Sequence, residues 1–121
     1  MDSKPQIPSK WVRIVCDILC AQKPKTYRIT IRARNDFEAL FPDLFSEDML
    51  KIMVDVLRGR KYTDFRNAVG FDPDGDAYEF LFLFRSRRMY GKINLKNSKV
   101  FVEVISAHTQ QKDDIENGRF L

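Results

Sequence analysis

The chain has 121 residues, 44% of them apolar, with 21 Lys and Arg against 17 Asp and Glu for a formal net charge of +4. That length suits one domain around one hydrophobic core, without disulfide or metal staples. No run approaches the roughly 20 apolar residues of a membrane span, and the opening Met1-Asp2-Ser3-Lys4-Pro5 lacks the apolar stretch of a secretory leader, so a cytoplasmic protein is expected.

Residues 1–9 are polar, contain Pro5 and Pro8, and read as a loose lead. Ser9 is placed as an N-cap, followed by Trp11, Val12, Ile14, Val15, Ile18 and Leu19 at helical spacing, which predicts a first helix over residues 10–20. Cys16 and Cys20 lie four apart on that helix and face the same way. They read as small buried apolar side chains, since a zinc site needs further ligands and His108 is the single histidine. Residues 26–31 alternate and are rich in β-branched types; a short strand and an extended connection both fit.

Asn35 or Asp36 is expected to cap a short helix that ends at Leu40, ahead of Pro42. Ser46 then opens the strongest helical pattern in the chain. Glu47 and Asp48 sit where the macrodipole favours acids, and Met49, Leu50, Ile52, Met53, Val56 and Leu57 recur on one face until Arg58 and Gly59. Thr63 or Asp64 is assigned as the cap of a further short turn carrying Phe65. Residues 70–76, with Gly70, Pro73 and Gly75 among three Asp, form a turn-rich link.

Three runs, residues 76–85, 88–95 and 99–106, are dense in aromatic and β-branched residues and alternate in parity, as strands do. In the second, Tyr90, Lys92 and Asn94 oppose Met89, Gly91, Ile93 and Leu95. In the third, Val100, Val102 and Val104 oppose Phe101, Glu103 and Ile105. The connectors at 86–87 and 96–98 are too short for a parallel crossover, so the runs are expected to form an antiparallel meander. Helices first and strands last predict an α+β domain with N-terminal helices packed on one face of a small C-terminal sheet, and residues 109–121 as a polar tail.

The charge is unevenly spread. Residues 58–66 carry Arg58, Arg60, Lys61 and Arg66, and residues 85–99 carry Arg85, Arg87, Arg88, Lys92, Lys96 and Lys99 with no acid. Such clusters suit a polyanion such as RNA or DNA, held through its phosphates, although lysines and arginines also solvate an exposed sheet face. No phosphate-binding glycine loop or metal-spaced His and Cys cluster is present. The Asp72 to Asp76 stretch is a poor calcium loop, with Pro73 after the first acid, Gly75 two positions early and Leu83 where a bidentate glutamate belongs.

His108 follows the last run. An imidazole can take a proton from an RNA ribose or give one to its phosphate; the bland alternative is a surface histidine at the start of a tail. Its company matters. Tyr90 and Lys92 share a strand face, Arg66 precedes the sheet, and Glu103 lies on that face or its opposite, because register is not readable from sequence. Together these residues supply an acid, a base and cations, the requirements of metal-free RNA cleavage by the adjacent 2′-hydroxyl.

Over residues 10–108 the pattern resembles the RelE-like superfamily of bacterial toxins, and most of all its MqsR branch of RNA-cleaving toxins. The likeness runs through the leading helix, Thr30-Ile-Arg-Ala-Arg34, the helix with Asp48-Met-Leu-Lys-Ile-Met53, Tyr62-Thr-Asp-Phe65, and the strands with Met89-Tyr-Gly-Lys-Ile93 and Val102-Glu-Val-Ile-Ser106. That branch uses a lysine after the Asp-Phe pair, a glutamine on the first meander strand, a tyrosine on the next and a lysine closing the last. Tyr90 matches the tyrosine. Arg66 or Asn67 stands near the first lysine, Glu79 near the glutamine and His108 near the final lysine, where other RelE-like toxins carry a histidine. The resemblance implies an endoribonuclease toxin that needs no metal or cofactor and is neutralised by a partner antitoxin protein. Its expected catalytic set is Tyr90, His108 and Glu79, with Arg66, Arg87, Arg88 and Lys92 on the RNA. The alternative is a non-catalytic module that holds nucleic acid or an acidic protein on the same basic face.

Overall fold

A computed structural model describes residues 5–97 and 100–111. Three helices, α1 (Ser9–Ala21), α2 (Ile31–Leu40) and α3 (Ser46–Arg58), pack on one face of a five-stranded sheet. Its strands are β1 (Tyr27–Ile29), β2 (Tyr62–Asn67), β3 (Gly75–Phe84), β4 (Arg87–Lys96) and β5 (Phe101–Thr109), in the spatial order β1-β5-β4-β3-β2. The expected α+β architecture and antiparallel meander are both present. Two strands join the meander: β2 runs antiparallel beside β3, and the three-residue β1 lies parallel to β5, pairing Tyr27 with Val102 and Ile29 with Val104.

The helix ends differ from the pattern reading. α1 starts at Ser9, with Pro8 in the cap position; its ring has no acceptor to cap the first turn, and its missing N–H is one that the turn leaves unpaired in any case. α2 begins well before Asn35: Thr30 caps it, its Oγ1 accepting from Ala33 N–H at 3.1 Å while donating to the Ile105 carbonyl at 3.0 Å. One hydroxyl therefore caps the helix and ties it to β5. In α3, Ser46 is the first helical residue, and Asp48 reaches back to accept from Phe45 N–H at 2.8 Å, the acidic half of a capping box. Residues 62–67 form β2 rather than a capped turn, with Thr63 and Asp64 inside it. The lead is not loose throughout, since Ile7 is buried and its N–H donates to the Tyr62 hydroxyl at 3.1 Å. Thr109 closes β5 rather than opening a tail, and Gln110 N–H still reaches the Arg88 carbonyl at 2.8 Å. Residues 1–4, Ser98, Lys99 and the remainder of the proposed tail, 112–121, lie outside the described residues.

The core lies between the helices and the sheet. Trp11, Val15 and Leu19 of α1, Phe37 of α2 and Met49, Leu50, Met53 and Leu57 of α3 meet Tyr78, Phe80 and Phe82 of β3, Met89 and Ile93 of β4, and Val102 and Val104 of β5. Val54 is buried as well, while Ile52 is only partly so. Cys16 is enclosed, and burial pushes its thiol up to about 11; Cys20, expected to be buried beside it, is exposed at the last turn. Gly91 has a packing reason. A Cβ there would stand 2.9 Å from the ring of Phe80, its cross-strand partner, so only glycine lets that ring lie across β4. The β3–β4 hairpin turns on Arg85 and Ser86, both at positive φ (51° and 67°), as a two-residue primed turn demands. Neither is glycine; the Arg85 guanidinium helps hold the turn by donating to both oxygens of Asp43 at 3.0 Å and lying over the Phe84 ring.

No helix among the described residues is long and apolar enough to cross a membrane. Among the described residues the opposite face of the sheet carries no helix, and there the polar residues of β2 to β5 converge.

Candidate active site

Alternation alone would send His108 to the helices, because it shares parity with the core residues Val102 and Val104. A bulge in β5 prevents this. Lys92 pairs with Ser106 but Ile93 pairs with Val104, so Ile105 is an extra residue and everything after it changes sides. Ala107 now enters the core, and His108 lands directly opposite Tyr90 on the helix-free face. The structure thus places His108 within β5, not after it.

A continuous row of side chains crosses that face. Arg66 of β2 is the cross-strand partner of Glu79 on β3, and its Nε donates to Glu79 Oε2 at 2.7 Å. The Tyr90 hydroxyl, on β4, donates to the other oxygen, Glu79 Oε1. The Tyr90 ring stacks on His108 of β5 with centroids 5.0 Å apart and planes at 25°. His108 Nδ1 lies 2.7 Å from the Thr109 carbonyl. A carbonyl only accepts, so Nδ1 carries the hydrogen, and Nε2 is the ring nitrogen that gains or gives up a second proton.

Lys92 sits inside this row, opposite Glu79 on one side and Ser106 on the other. Burial lowers its pKa, Glu79 works against that, and Arg66 adds to it. Its ammonium lies 3.8 Å from the centroid of Phe71, which comes from the loop between β2 and β3. Glu79 and Tyr90 are buried, at 4% and 5% exposure, whereas Arg88 is exposed and Arg66, Lys92 and His108 are part-exposed around them.

Six of the seven expected site residues share this face: Arg66, Glu79, Arg88, Tyr90, Lys92 and His108. Arg87 does not join them. It neighbours Arg88 in a strand and so points the other way, with its guanidinium 5.8 Å from the ring of Phe41 on the helix side. Arg58 and Lys61 of the first basic cluster are engaged elsewhere, Arg58 with Asp17 at 3.2 Å and Lys61 with Asp55 at 2.8 Å.

A second polar row on the same face was not expected from sequence. Arg28 of β1 donates from Nε to Glu103 Oε2 at 2.8 Å, and the Asn94 amide donates to Glu103 Oε1 at 3.1 Å and to Asp72 Oδ2 at 2.8 Å. Lys96 closes the row on Asp72 at 2.8 Å. Glu103 therefore lies on the Tyr90 face, but one row away from it. Burial works to raise its pKa, and the hydrogen bonds from Asn94 and Arg28 outweigh that and leave it lowered. Asp72 is lowered to about 2, first by the hydrogen bond from Lys96, then by those from the Asp74 N–H and Asn94. Asn94 is fully buried over Gly75, where a Cβ would stand 2.3 Å from its Oδ1. The one sequence signal for this row was the shared parity of Asn94 with Tyr90 and Lys92; Lys96, assigned to the connector at 96–98, instead ends β4 on the same face. Among the described residues no three His, Cys, Asp or Glu side chains gather as metal ligands.

Comparison with protein-family models, with curated proteins and with solved structures returned no match.

Proposed function

We propose that the helix-free face is an endoribonuclease site that cleaves RNA by attack of the 2′-hydroxyl on the adjacent phosphate. The observation that carries this reading is the row Arg66–Glu79–Tyr90–His108 across four neighbouring strands, with Lys92 within it. As the 2′ oxygen bonds to phosphorus and the bond to the 5′ oxygen breaks, one group removes the 2′ proton and another protonates the leaving oxygen. Tyr90 and His108 Nε2 are the complementary pair for those transfers. Glu79, held by Arg66, orients the Tyr90 hydroxyl, and Arg66, Lys92 and Arg88 offset charge on the phosphate. The products are a 2′,3′-cyclic phosphate and a 5′-hydroxyl, and no step calls for a metal. The sequence resemblance to RelE-like toxins of the MqsR type, centred on Tyr90, supports reading the chain as the toxin of a toxin–antitoxin pair.

The burial of Glu79 and Tyr90 favours a second reading, a module that binds nucleic acid or an acidic protein without chemistry. The test is incubation of RNA with the protein in EDTA and analysis of the ends formed. Cyclic phosphate ends are expected. Tyr90→Phe and His108→Gln should each remain folded and lose about two to four powers of ten in rate. Parental cleavage by both variants, or none by the parent, hands the face to the binding module.

A further inference from the structure

Phe71 is 43% exposed and belongs to the loop between β2 and β3. A single exposed aromatic is ordinary, and exposure alone says nothing. Two other observations set it apart. Its ring lies directly over the Lys92 ammonium, 3.8 Å from centroid to Nζ. The next residue, Asp72, pins the loop to the sheet through Asn94 and Lys96, each at 2.8 Å, and Phe71 N–H donates to the Ala68 carbonyl at 3.1 Å. The ring is thus held in place beside the central cation of the row, with part of its surface left to solvent.

A fixed, partly exposed aromatic next to lysine and arginine side chains is how proteins hold single-stranded nucleic acid. The cations take the phosphate, and the ring takes the face of an unpaired base, whichever base it is. In a duplex both base faces are already stacked. We propose that Phe71 is the platform on which an unpaired base next to the phosphate at Lys92 stacks, which makes single-stranded RNA the substrate class. This rests on the nucleic-acid reading of the face, and it adds a specificity residue outside the proton-transfer pair.

The probe is a short single-stranded RNA methylated at every 2′ oxygen, which cannot be cut through that oxygen, compared with the same strand in a duplex. The parent should bind the single strand more tightly. Phe71→Leu, which keeps apolar bulk without a π face, should lose about 5- to 100-fold on the single strand and little on the duplex, while Phe71→Trp retains affinity. Equal single-strand affinity of the leucine variant and the parent overturns the inference; if the parent still cleaves RNA in EDTA, the nuclease reading survives that result. A parent that binds neither probe overturns both. An equal melting temperature for the leucine variant assigns its loss to stacking rather than to the loop.

Discussion

Two polar rows cross the same sheet face, and their composition sets them apart. In the row from Arg28 to Lys96, the carboxylates Glu103 and Asp72 are matched by two cations and bridged by the Asn94 amide. It joins the edge strand β1 and the loop before β3 to the meander. In the row from Arg66 to His108, the carboxylate Glu79 stands with the cations Arg66 and Lys92, and the remaining members are a phenol and an imidazole, groups able to exchange protons. A row that closes on itself ends as structure, whereas one built around transferable protons has chemistry to offer. The comparison teaches that burial does not separate the two, since Glu79 and Glu103 are both buried.

The largest effect that would test the division is on stability. Asn94→Ala removes the amide from between two carboxylates and should lower unfolding free energy by about 2–4 kcal/mol. Chemical denaturation measures this, and because Lys96 still holds Asp72 and its loop at 2.8 Å, RNA cleavage per folded molecule should stay near parental. Tyr90→Phe also takes a donor from the buried Glu79 and should cost about 1–3 kcal/mol, but its loss of cleavage per folded molecule should be far larger than that of Asn94→Ala. If Asn94→Ala melts like the parent, or loses cleavage as fully as Tyr90→Phe, the two rows do not divide the work.

The pattern of the sequence reaches the helices, the meander and the parity of β4, because periods of 3.6 and 2 are imposed by the backbone itself. It does not reach what depends on register. The extra residue Ile105 brings His108 to Tyr90, and nothing in the local composition marks it. Thr63 does the same in β2, where the irregular stretch from Tyr62 to Asp64 read as a turn. The alternation over residues 26–31 is too short to separate a strand from an extended connection, and the place of β1 beside β5 is a tertiary fact. The adjacent Arg87 and Arg88 looked like one patch in the chain and are divided by the pleat. Asp72, read only as part of a turn-rich link, is the loop's anchor on Asn94 and Lys96.

Acid sharpens the same comparison at a smaller scale. Glu103 and Asp72 both have folded-state pKa values below the ordinary carboxylate range, Asp72 at about 2. The stability they lend is therefore complete above the unfolded value of about 4 and is lost as pH falls through the folded values. The parent's melting temperature should decline between about pH 4 and 2, and Asp72→Asn should make that decline shallower, starting from a lower plateau. Parallel profiles for the two proteins would mean that the row's charges add nothing to folding.

The smallest expected effect separates two neighbours in sequence. Each phosphate contact on a single strand contributes about 0.7 to the slope of log affinity against log salt, so its loss changes affinity by less than twofold between 0.1 and 0.2 M salt. Arg88 shares a face with Tyr90, two residues along β4, while Arg87 lies toward Phe41 behind the sheet. Arg88→Ala should flatten the salt dependence of single-strand binding by about one contact, and Arg87→Ala should leave it unchanged. A full titration series, not two salt concentrations, is needed to resolve so small a difference. Equal slopes for the two variants would show that RNA does not distinguish the faces of β4, and the nucleic-acid surface would then have to extend around the hairpin end formed by Arg85 and Ser86.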